Sequence, residues 1–219
     1  MQASSLLLLC EGAVVSAKIA CLAGLLALVL AVPAGLGRGH RSRLLSWPSA
    51  CYIEVFRGTS LVVQLFWLYF VLPQFGITLP TLLVAVLGLG LNYGAYGAEV
   101  VRGAIASVPK GQTEAGHALG LTPLKTSLLV ILPQALLLFI RPWGNLMVQL
   151  LKATSLVSLI TVAELSFRAY QLNQLTLRTA EIFGAVLVLY FLMGQVIAIG
   201  TNALEWRAGH WRRTGKPGR

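Results

Sequence analysis

Charged side chains are scarce in this sequence. Lys, Arg, Asp and Glu together account for 11% of its 219 residues, and only seven of these are acidic, whereas a soluble domain has about 25% charged residues. This scarcity excludes an ordinary soluble domain and indicates a helical membrane protein, because lipid leaves only helices or closed barrels for the backbone. The strands of a barrel would alternate polar and apolar residues, and the apolar runs of this chain do not alternate.

Residue types used in catalysis and metal binding are present but form no recognised pattern. The three cysteines show no C-x-x-C spacing, so neither a disulfide framework nor a metal site is indicated. The three histidines are scattered along the chain and no nucleophile–base pair stands out, so we expect no enzyme. The phosphate loop G-x-x-x-x-G-K-[ST] is also missing. We therefore expect the chain itself to bind no cofactor.

Long apolar runs dominate what is present. A helix needs about 20 residues to cross a hydrocarbon core of about 30 Å, and the runs predict an all-α, polytopic fold in one domain, 1–219. Five spans are predicted, at 13–37, 52–72, 81–101, 128–150 and 181–203. The connecting segments of interest are a cytoplasmic loop at 103–127, an amphipathic outer segment at 151–180 and a basic tail at 204–219.

Basic residues are concentrated beside the predicted spans. The net charge is +10, and the basic residues cluster in 38–43 and 205–219. Excess Lys and Arg next to spans marks the cytoplasmic side; with five spans, eleven of these residues fall on one side and three on the other. We therefore expect the N-terminus outside the cell and the C-terminus in the cytoplasm. This placement favours membrane topology over contacts with nucleic acid.

Small residues recur on one face of the third predicted span. Gly90, Gly94 and Ala98 occupy every fourth position, which places them on one side of a helix. Such residues let two helix backbones approach closely. Packing within the chain and an interface with a second subunit are both compatible with this spacing.

Two charged pairs lie near the inner ends of the second and third spans. Glu54 and Arg57 are three residues apart, as are Glu99 and Arg102, a spacing that places each pair on one helix face. We expect each pair to form a structural ion pair near the membrane surface.

Four other charged residues are candidates for a substrate path. An ionised group inside a membrane is expensive and should face a partner or a wet cavity. Arg141 lies within the fourth span, directly before the helix-breaking Pro142, while Lys152, Glu164 and Arg168 lie in the amphipathic segment 151–180. These four residues either meet a zwitterionic solute or hold the outer helix in place, and both alternatives remain open.

The segment from Ser107 to Pro133 carries the punctuation of two helices. Pro109 is consistent with a helix start, and Gly120 is a typical residue to end a helix. Thr122 then predicts an N-cap with Pro123 at the first helical position. We predict two short helices joined by a glycine turn on the cytoplasmic side, a docking element rather than a plain loop.

This segment resembles the EAA loop of permease subunits in bacterial ABC importers. The pattern is E-A-A, three residues, G, nine residues, I, any residue and L-P. The matching residues here are Glu114, Ala115, Gly116, Gly120, Leu132 and Pro133. Gly116 replaces the second Ala and Val130 replaces the Ile. In that family the loop docks in a cleft of the ATPase subunit and transmits its movement.

The resemblance covers nearly the whole chain. The stretches 52–73, 95–115 and 150–160 are similar to permeases of the polar-amino-acid branch, which handle histidine, glutamate, glutamine, arginine or opines. The addition of "RPWGNLM" and of 167–183 makes the chain look most similar to ectoine and hydroxyectoine importer permeases. The resemblance implies a MetI-like ABC importer permease fold in a bacterial inner membrane.

The resemblance also implies an assembly. The expected partners are a cytoplasmic pair of ABC ATPase subunits, a second permease chain of related sequence, and a periplasmic or membrane-tethered solute-binding protein. The chain would move a polar amino acid or an amino-acid-like compatible solute, with ectoine or hydroxyectoine favoured over histidine, arginine, glutamate or glutamine. The alternative is a secondary carrier or channel for a small zwitterion that works without ATP. A scaffold that transports nothing would explain neither the interior charges nor the cytoplasmic helices.

Overall fold

The computed structural model describes residues 3–40 and 42–213, and within that part the chain is all helical, with no strand. The α-helices run in the order α1 Ala3–Arg38, α2 Arg43–Gly58, α3 Leu61–Phe66, α4 Thr81–Ala106, α5 Lys110–Ala118, α6 Pro123–Thr126, α7 Leu132–Ala153, α8 Leu165–Thr176 and α9 Thr179–Arg213. Two segments between them are π-helical, Trp67–Val71 and Ser127–Ile131. Two are 3₁₀-helical, Leu72–Phe75 and Thr154–Ile160.

Within the described residues, four helical stretches are long and apolar enough to cross a membrane. They are Ser5–Arg38, Thr81–Ala106, Pro123–Ile160 and Thr179–Gly209. A fifth crossing is obtained if the bent pair formed by Arg43–Gly58 and Leu61–Phe75 is counted as one span. The helical architecture and the number of crossings agree with the fold class predicted from the sequence.

The second predicted span, 52–72, is not one straight helix. Its two halves meet at an angle of 101°. The helix stops because Thr59 adopts an extended conformation and its hydroxyl donates to the carbonyl oxygen of Val55 at 2.7 Å. The Asn92 side chain from α4 donates to the carbonyl of Phe56 at 2.9 Å. These side chains satisfy backbone groups that an unbroken helix would have paired itself, as membrane burial requires.

The fourth predicted span, 128–150, is the middle of a longer helical stretch. This stretch begins at Pro123 and continues to Ile160. The Thr122 hydroxyl accepts the N–H of Lys125, and Pro123 occupies the first helical position, so the helix starts where the cap residues predicted. No break separates this start from the apolar run that follows. The predicted second short helix is therefore the first turn of the long helix.

The remaining predicted bounds differ at their ends. The first helix starts at Ala3 instead of residue 13, and the last runs through Arg213 instead of ending at 203. The sequence pattern predicted the apolar middle of each helix but did not indicate the residue at which the helix begins or ends. Residues 214–219 of the predicted basic tail lie outside the described residues, as does Arg41 of the first basic cluster.

Helices α1 and α4 form the centre of the fold. A Cβ atom at Gly90 would lie 2.5 Å from Leu26 Cδ2, and one at Gly94 would lie 3.1 Å from Leu30 Cβ. A Cβ on Gly35 of α1 would in turn lie 2.6 Å from the carbonyl oxygen of Ala98. The face made by Gly90, Gly94 and Ala98 thus packs within the chain against α1, at backbone separations that only small residues permit.

The other long helices surround this pair. Helix α7 packs against both α4 and α9, while α8 packs against α1 and α9. One apolar core joins α1, α3, α4 and α7 around Ile19, Leu65, Leu89 and Leu150, all at most 1% exposed. Helix α9 presents large apolar side chains outward, including Leu187 and Val196, as expected for a helix that faces lipid or a second subunit.

Candidate functional site

The predicted docking element begins with helix α5. Pro109 occupies the cap position and α5 runs from Lys110 to Ala118. At its end the N–H of Leu121 donates to the carbonyl of Gly116 at 3.0 Å, and the N–H of Gly120 donates to that of His117 at 2.9 Å. Gly120 has φ +74°. These two bonds and the left-handed glycine form the Schellman arrangement, so the predicted glycine turn is confirmed.

A π-helical segment links this turn to the membrane part of the long helix. The N–H of Leu132 donates to the carbonyl of Ser127, five residues back. Pro133 follows, which has no N–H and whose ring would strike the carbonyl four residues before it. The wider π-turn removes this conflict. Leu132 and Pro133 therefore mark the point where the π-helical segment passes into α7.

The predicted docking residues differ in exposure. Glu114 and Ala115 are exposed on α5, whereas Gly116 is buried against Thr126 of α6. Next to them, Leu119 is 80% exposed and Leu124 is 69% exposed. An acidic residue beside exposed leucines on a capped turn forms a surface with both polar and apolar groups, which is the composition of a protein-docking patch. We call residues Glu114, Ala115, Leu119, Gly120 and Leu124 the docking surface.

A charged cavity lies beside the C-terminal end of α4. It has a volume of about 1050 Å³, and its lining includes Arg38, Arg57, Glu99, Arg102 and Ser127. Arg102 Nη2 lies 2.7 Å from Glu99 Oε2, as the predicted pairing required, and Arg57 Nη1 lies 4.0 Å from the same oxygen.

The other predicted pair is wrong. Glu54 pairs with Arg38 at 2.9 Å rather than with Arg57, whose guanidinium instead lies 5.2 Å from the centre of the Tyr96 ring. The reason is that α2 packs against α1 and α4, so partners on neighbouring helices are closer than the partner on the same helix. Such exposed pairs each contribute about 0–1 kcal/mol.

The four path candidates do not form one site. Arg141 is exposed and pairs with Glu205 of α9, with 3.7 Å between Nε and Oε2. Lys152 is exposed in a groove between α7 and α9. Glu164 is fully buried. Arg168 is half-buried beside Gly12 of α1, and its Nε is buried without a hydrogen-bond partner among the described residues.

Glu164 joins three helices. It caps the N-terminus of α8, where its Oε1 accepts the N–H of Phe167 at 2.9 Å. Its Oε2 accepts the hydroxyl of Ser16 from α1 at 3.0 Å and that of Tyr190 from α9 at 2.9 Å. Burial raises the pKa of the Glu164 carboxyl, and the hydrogen bonds from these donors oppose that rise only in part. With every carboxylate oxygen occupied, Glu164 is placed to hold α1, α8 and α9 together.

The groove beside Lys152 contains polar residues that the sequence reasoning did not single out. It measures about 830 Å³, and its lining includes Asn145, Gln149, Lys152, Tyr190 and Gln195. Asn145, Gln149 and Gln195 are all exposed in the single chain. Polar groups at membrane depth require a partner or water, so this groove faces a wet path or another subunit.

A positional signal for this groove exists in the sequence. Arg141, Asn145, Gln149 and Lys152 follow one another at spacings of four, four and three, which places them on one face of a helix. We call these four residues the polar stripe of α7. Reading only the charged residues found its two ends and missed the amides between them.

Comparison with known proteins places this geometry in a family. The family model described as "Binding-protein-dependent transport system inner membrane component" matches residues 27–208. The chain belongs to this family. The permease also has the MetI-like ABC importer permease fold expected from its sequence.

Individual relatives agree over most of the permease. It is 41% identical over 184 residues to a probable amino-acid ABC transporter permease protein, y4tF, of Sinorhizobium fredii, with 81% of this chain and 77% of the relative covered. It is 38% identical over 202 residues to the glutamine transport system permease protein GlnP of Escherichia coli, with 91% and 92% covered.

A solved structure matches the arrangement of helices. It is an amino acid ABC transporter crystallised with histidines, and one of its chains is 32% identical to this permease with a TM-score of 0.86. The match covers 91% of this chain and 94% of that chain. The protein is therefore a permease component of an ABC importer, in a group whose curated relatives include amino-acid permeases.

Proposed function

We propose that this permease is the translocation subunit of an ATP-driven importer for a polar amino acid or an amino-acid-like compatible solute, with ectoine or hydroxyectoine favoured. The exposed docking surface on α5 and its glycine turn carries the proposal. A secondary carrier or a channel that works without ATP would need no capped helix of this kind between two spans. ATP and magnesium are expected in the partner ATPase and not in this chain.

The proposed orientation puts the docking surface in the cytoplasm. The excess of basic residues beside the ends of the spans supports an outside N-terminus and a cytoplasmic C-terminus in the bacterial inner membrane. With that orientation, the docking surface and the charged cavity face the ATPase side. Glu164 and its hydrogen-bond donors Ser16, Phe167 and Tyr190 then lie at the outer end of the bundle.

The proposed assembly contains two permease chains, two ATPase subunits and a solute-binding protein. The polar stripe of α7 supports the need for a second permease, because one chain leaves these side chains open to their surroundings. We propose that the partner permease is a related chain and that the two bundles enclose the path between them. The solute-binding protein delivers substrate at the outer face.

The polar stripe suits a zwitterionic solute. Lys152 offers an ammonium for a carboxylate, and the amides of Asn145 and Gln149 both donate and accept hydrogen bonds. Glu164 is fully buried and both of its oxygens already accept hydrogen bonds, so we assign it the alternative role of holding the outer helix in place. Arg168 remains a candidate for the path because its Nε has no partner among the described residues.

The test uses the complete importer in liposomes, with radiolabelled ectoine, glutamine and histidine supplied with the solute-binding protein. We expect uptake only with ATP. Glu114→Ala removes the exposed carboxylate from the docking surface, and we expect it to lower uptake about tenfold or more, a loss of at least about 1.4 kcal/mol. The matched control is Glu11→Ala, an exposed glutamate at the other end of the bundle. Uptake that proceeds equally without ATP, or that Glu114→Ala leaves unchanged, would contradict the proposal.

A further inference from the structure

Helix α5 touches the long helix where Gly116 meets Thr126. Thr126 is 1% exposed, and its side chain lies directly against the Gly116 backbone. Its hydroxyl is buried and has no hydrogen-bond partner among the described residues. A buried hydroxyl without a partner is unfavourable, so the close contact carries a cost in stability.

A side chain at position 116 does not fit this contact. A Cβ built on Gly116 would lie 2.6 Å from Thr126 Cγ2, 2.9 Å from Oγ1 and 3.3 Å from Cβ. Both γ atoms of Thr126 therefore face Gly116. Rotation about χ1 gives no relief, because two of the three positions on Cβ point at Gly116 and any staggered rotamer leaves a γ atom in one of them. An alanine would have to move α5 away from the long helix.

The contact lies where movement of α5 would reach the membrane. Gly116 is in the last turn of α5, two residues before the helix ends, and its carbonyl accepts the N–H of Leu121 in the glycine turn. Thr126 directly precedes the π-helical segment Ser127–Ile131 of the long helix. The docking surface on one side and the long helix on the other thus meet at the Gly116–Thr126 contact, and a second link is the hydrogen bond from Gln134 Nε2 of α7 to Gln112 Oε1 of α5 at 3.1 Å.

We propose that Gly116 and Thr126 form a matched pair that sets the position of the coupling helix α5 on the long helix. Gly116 replaces the alanine of the EAA pattern because Thr126 occupies the space of the alanine methyl. Gly116 is thus a positioning residue that acts through the docking surface. Its role in coupling rests on the proposed function, whereas its role in placing α5 does not.

The experiment is a double-mutant cycle with Gly116→Ala, Thr126→Ala and the two combined. Thr126→Ala removes both γ atoms and leaves only the Cβ, 3.3 Å from the new methyl. The matched control is Gly111→Ala in the first turn of the same helix, where a Cβ has nothing within 4 Å. Two quantities are measured: amide hydrogen exchange of 110–121 in the purified permease, and ATP hydrolysis by the complete importer in liposomes.

We expect Gly116→Ala to speed exchange across α5 and to lower ATP hydrolysis about fivefold or more. The double variant should recover both quantities, while Thr126→Ala and Gly111→Ala should stay near wild type. A double variant as impaired as Gly116→Ala, or a Gly116→Ala variant with unchanged exchange, would overturn the proposal. If exchange follows this pattern but wild-type permease never associates with an ATPase, the pair stands and the proposed function fails.

Discussion

Glu164 shows how a single residue received two interpretations from its sequence position. Its place in a polar, amphipathic segment made it a candidate for the substrate path. In the structure Ser16, Phe167 and Tyr190 all donate hydrogen bonds to its carboxylate. These bonds cap α8 and join it to α1 and α9. Sequence spacing could not reveal this, because Ser16 lies 148 residues away along the chain.

Glu164 predicts a dependence of stability on pH. Burial raises the pKa of its carboxyl above the usual value of 4.5, so the folded state favours the protonated form. The contribution of Glu164 to the free energy of unfolding is then fully present below about pH 4.5 and is lost as the pH rises through the raised pKa, by about 1.4 kcal/mol for each unit of elevation. Thermal unfolding of the purified permease between about pH 4 and pH 8 measures this fall.

The control for this prediction is Glu164→Gln, which keeps the shape and cannot titrate. We expect its unfolding temperature to change less with pH across the same range. Equal pH dependence in both proteins would show that Glu164 does not control it.

At the level of the element, the long helix of 123–160 shows which features could be predicted from the sequence and which could not. The start at Thr122 and Pro123 was predictable, because capping chemistry is local. Its continuity was not, because nothing in the pattern distinguishes a short cytoplasmic helix from the first turn of a longer one. The ion pair of Arg141 with Glu205 was also out of reach, since it depends on how α7 packs on α9.

The π-turn of the long helix has a counterpart elsewhere. Both π-helical segments end directly before a Leu-Pro pair, Leu72-Pro73 in one case and Leu132-Pro133 in the other. In each, the leucine N–H donates to the carbonyl five residues back. A proline that follows an apolar helical run was thus a usable signal for these turns, and the sequence reasoning did not use it.

The polar stripe of α7 makes a prediction about affinity. If Lys152 meets the carboxylate of the solute, Lys152→Gln should raise the KM for uptake about tenfold or more and change the maximal rate less, because a charged hydrogen bond to the bound solute is lost. The matched control is Lys18→Gln, which alters an exposed lysine of α1 that lies outside the groove. A KM that is unchanged by Lys152→Gln, or raised equally by both changes, would remove Lys152 from the path.

At the level of the whole molecule, the helical membrane fold was predictable from the sequence, but the bends and contacts of its helices were predictable only in part. Hydropathy located the apolar cores of the spans because each exceeds the thickness of the membrane. The bend of 101° within the second one was missed, because it depends on Thr59 and on Asn92 from a distant helix. The contact between α1 and the Gly90, Gly94 and Ala98 face could not be distinguished in advance from a subunit interface.

The proposed orientation predicts which native cysteines are accessible from outside. Cys10 and Cys51 are both exposed on the surface of the permease. Cys10 precedes the first predicted span, 13–37, and Cys51 lies just before the second, 52–72. In intact cells, a membrane-impermeant maleimide should label a variant retaining only Cys10. A variant retaining only Cys51 should react after the membrane is opened. The reverse pattern would place the docking surface outside the cell and end the proposal of a cytoplasmic ATPase.

The π-turn at Ser127–Ile131 also fixes the rotational phase of the long helix. Relative to an unbroken α-helix, one additional residue in a turn rotates everything beyond it by about 100° around the axis. The side of the helix that meets Gly116 and the side that carries Arg141 to Lys152 are therefore offset by this insertion. Removal of one residue from 127–131 would turn the polar side chains toward a different neighbour while leaving the contact at Thr126 where it is.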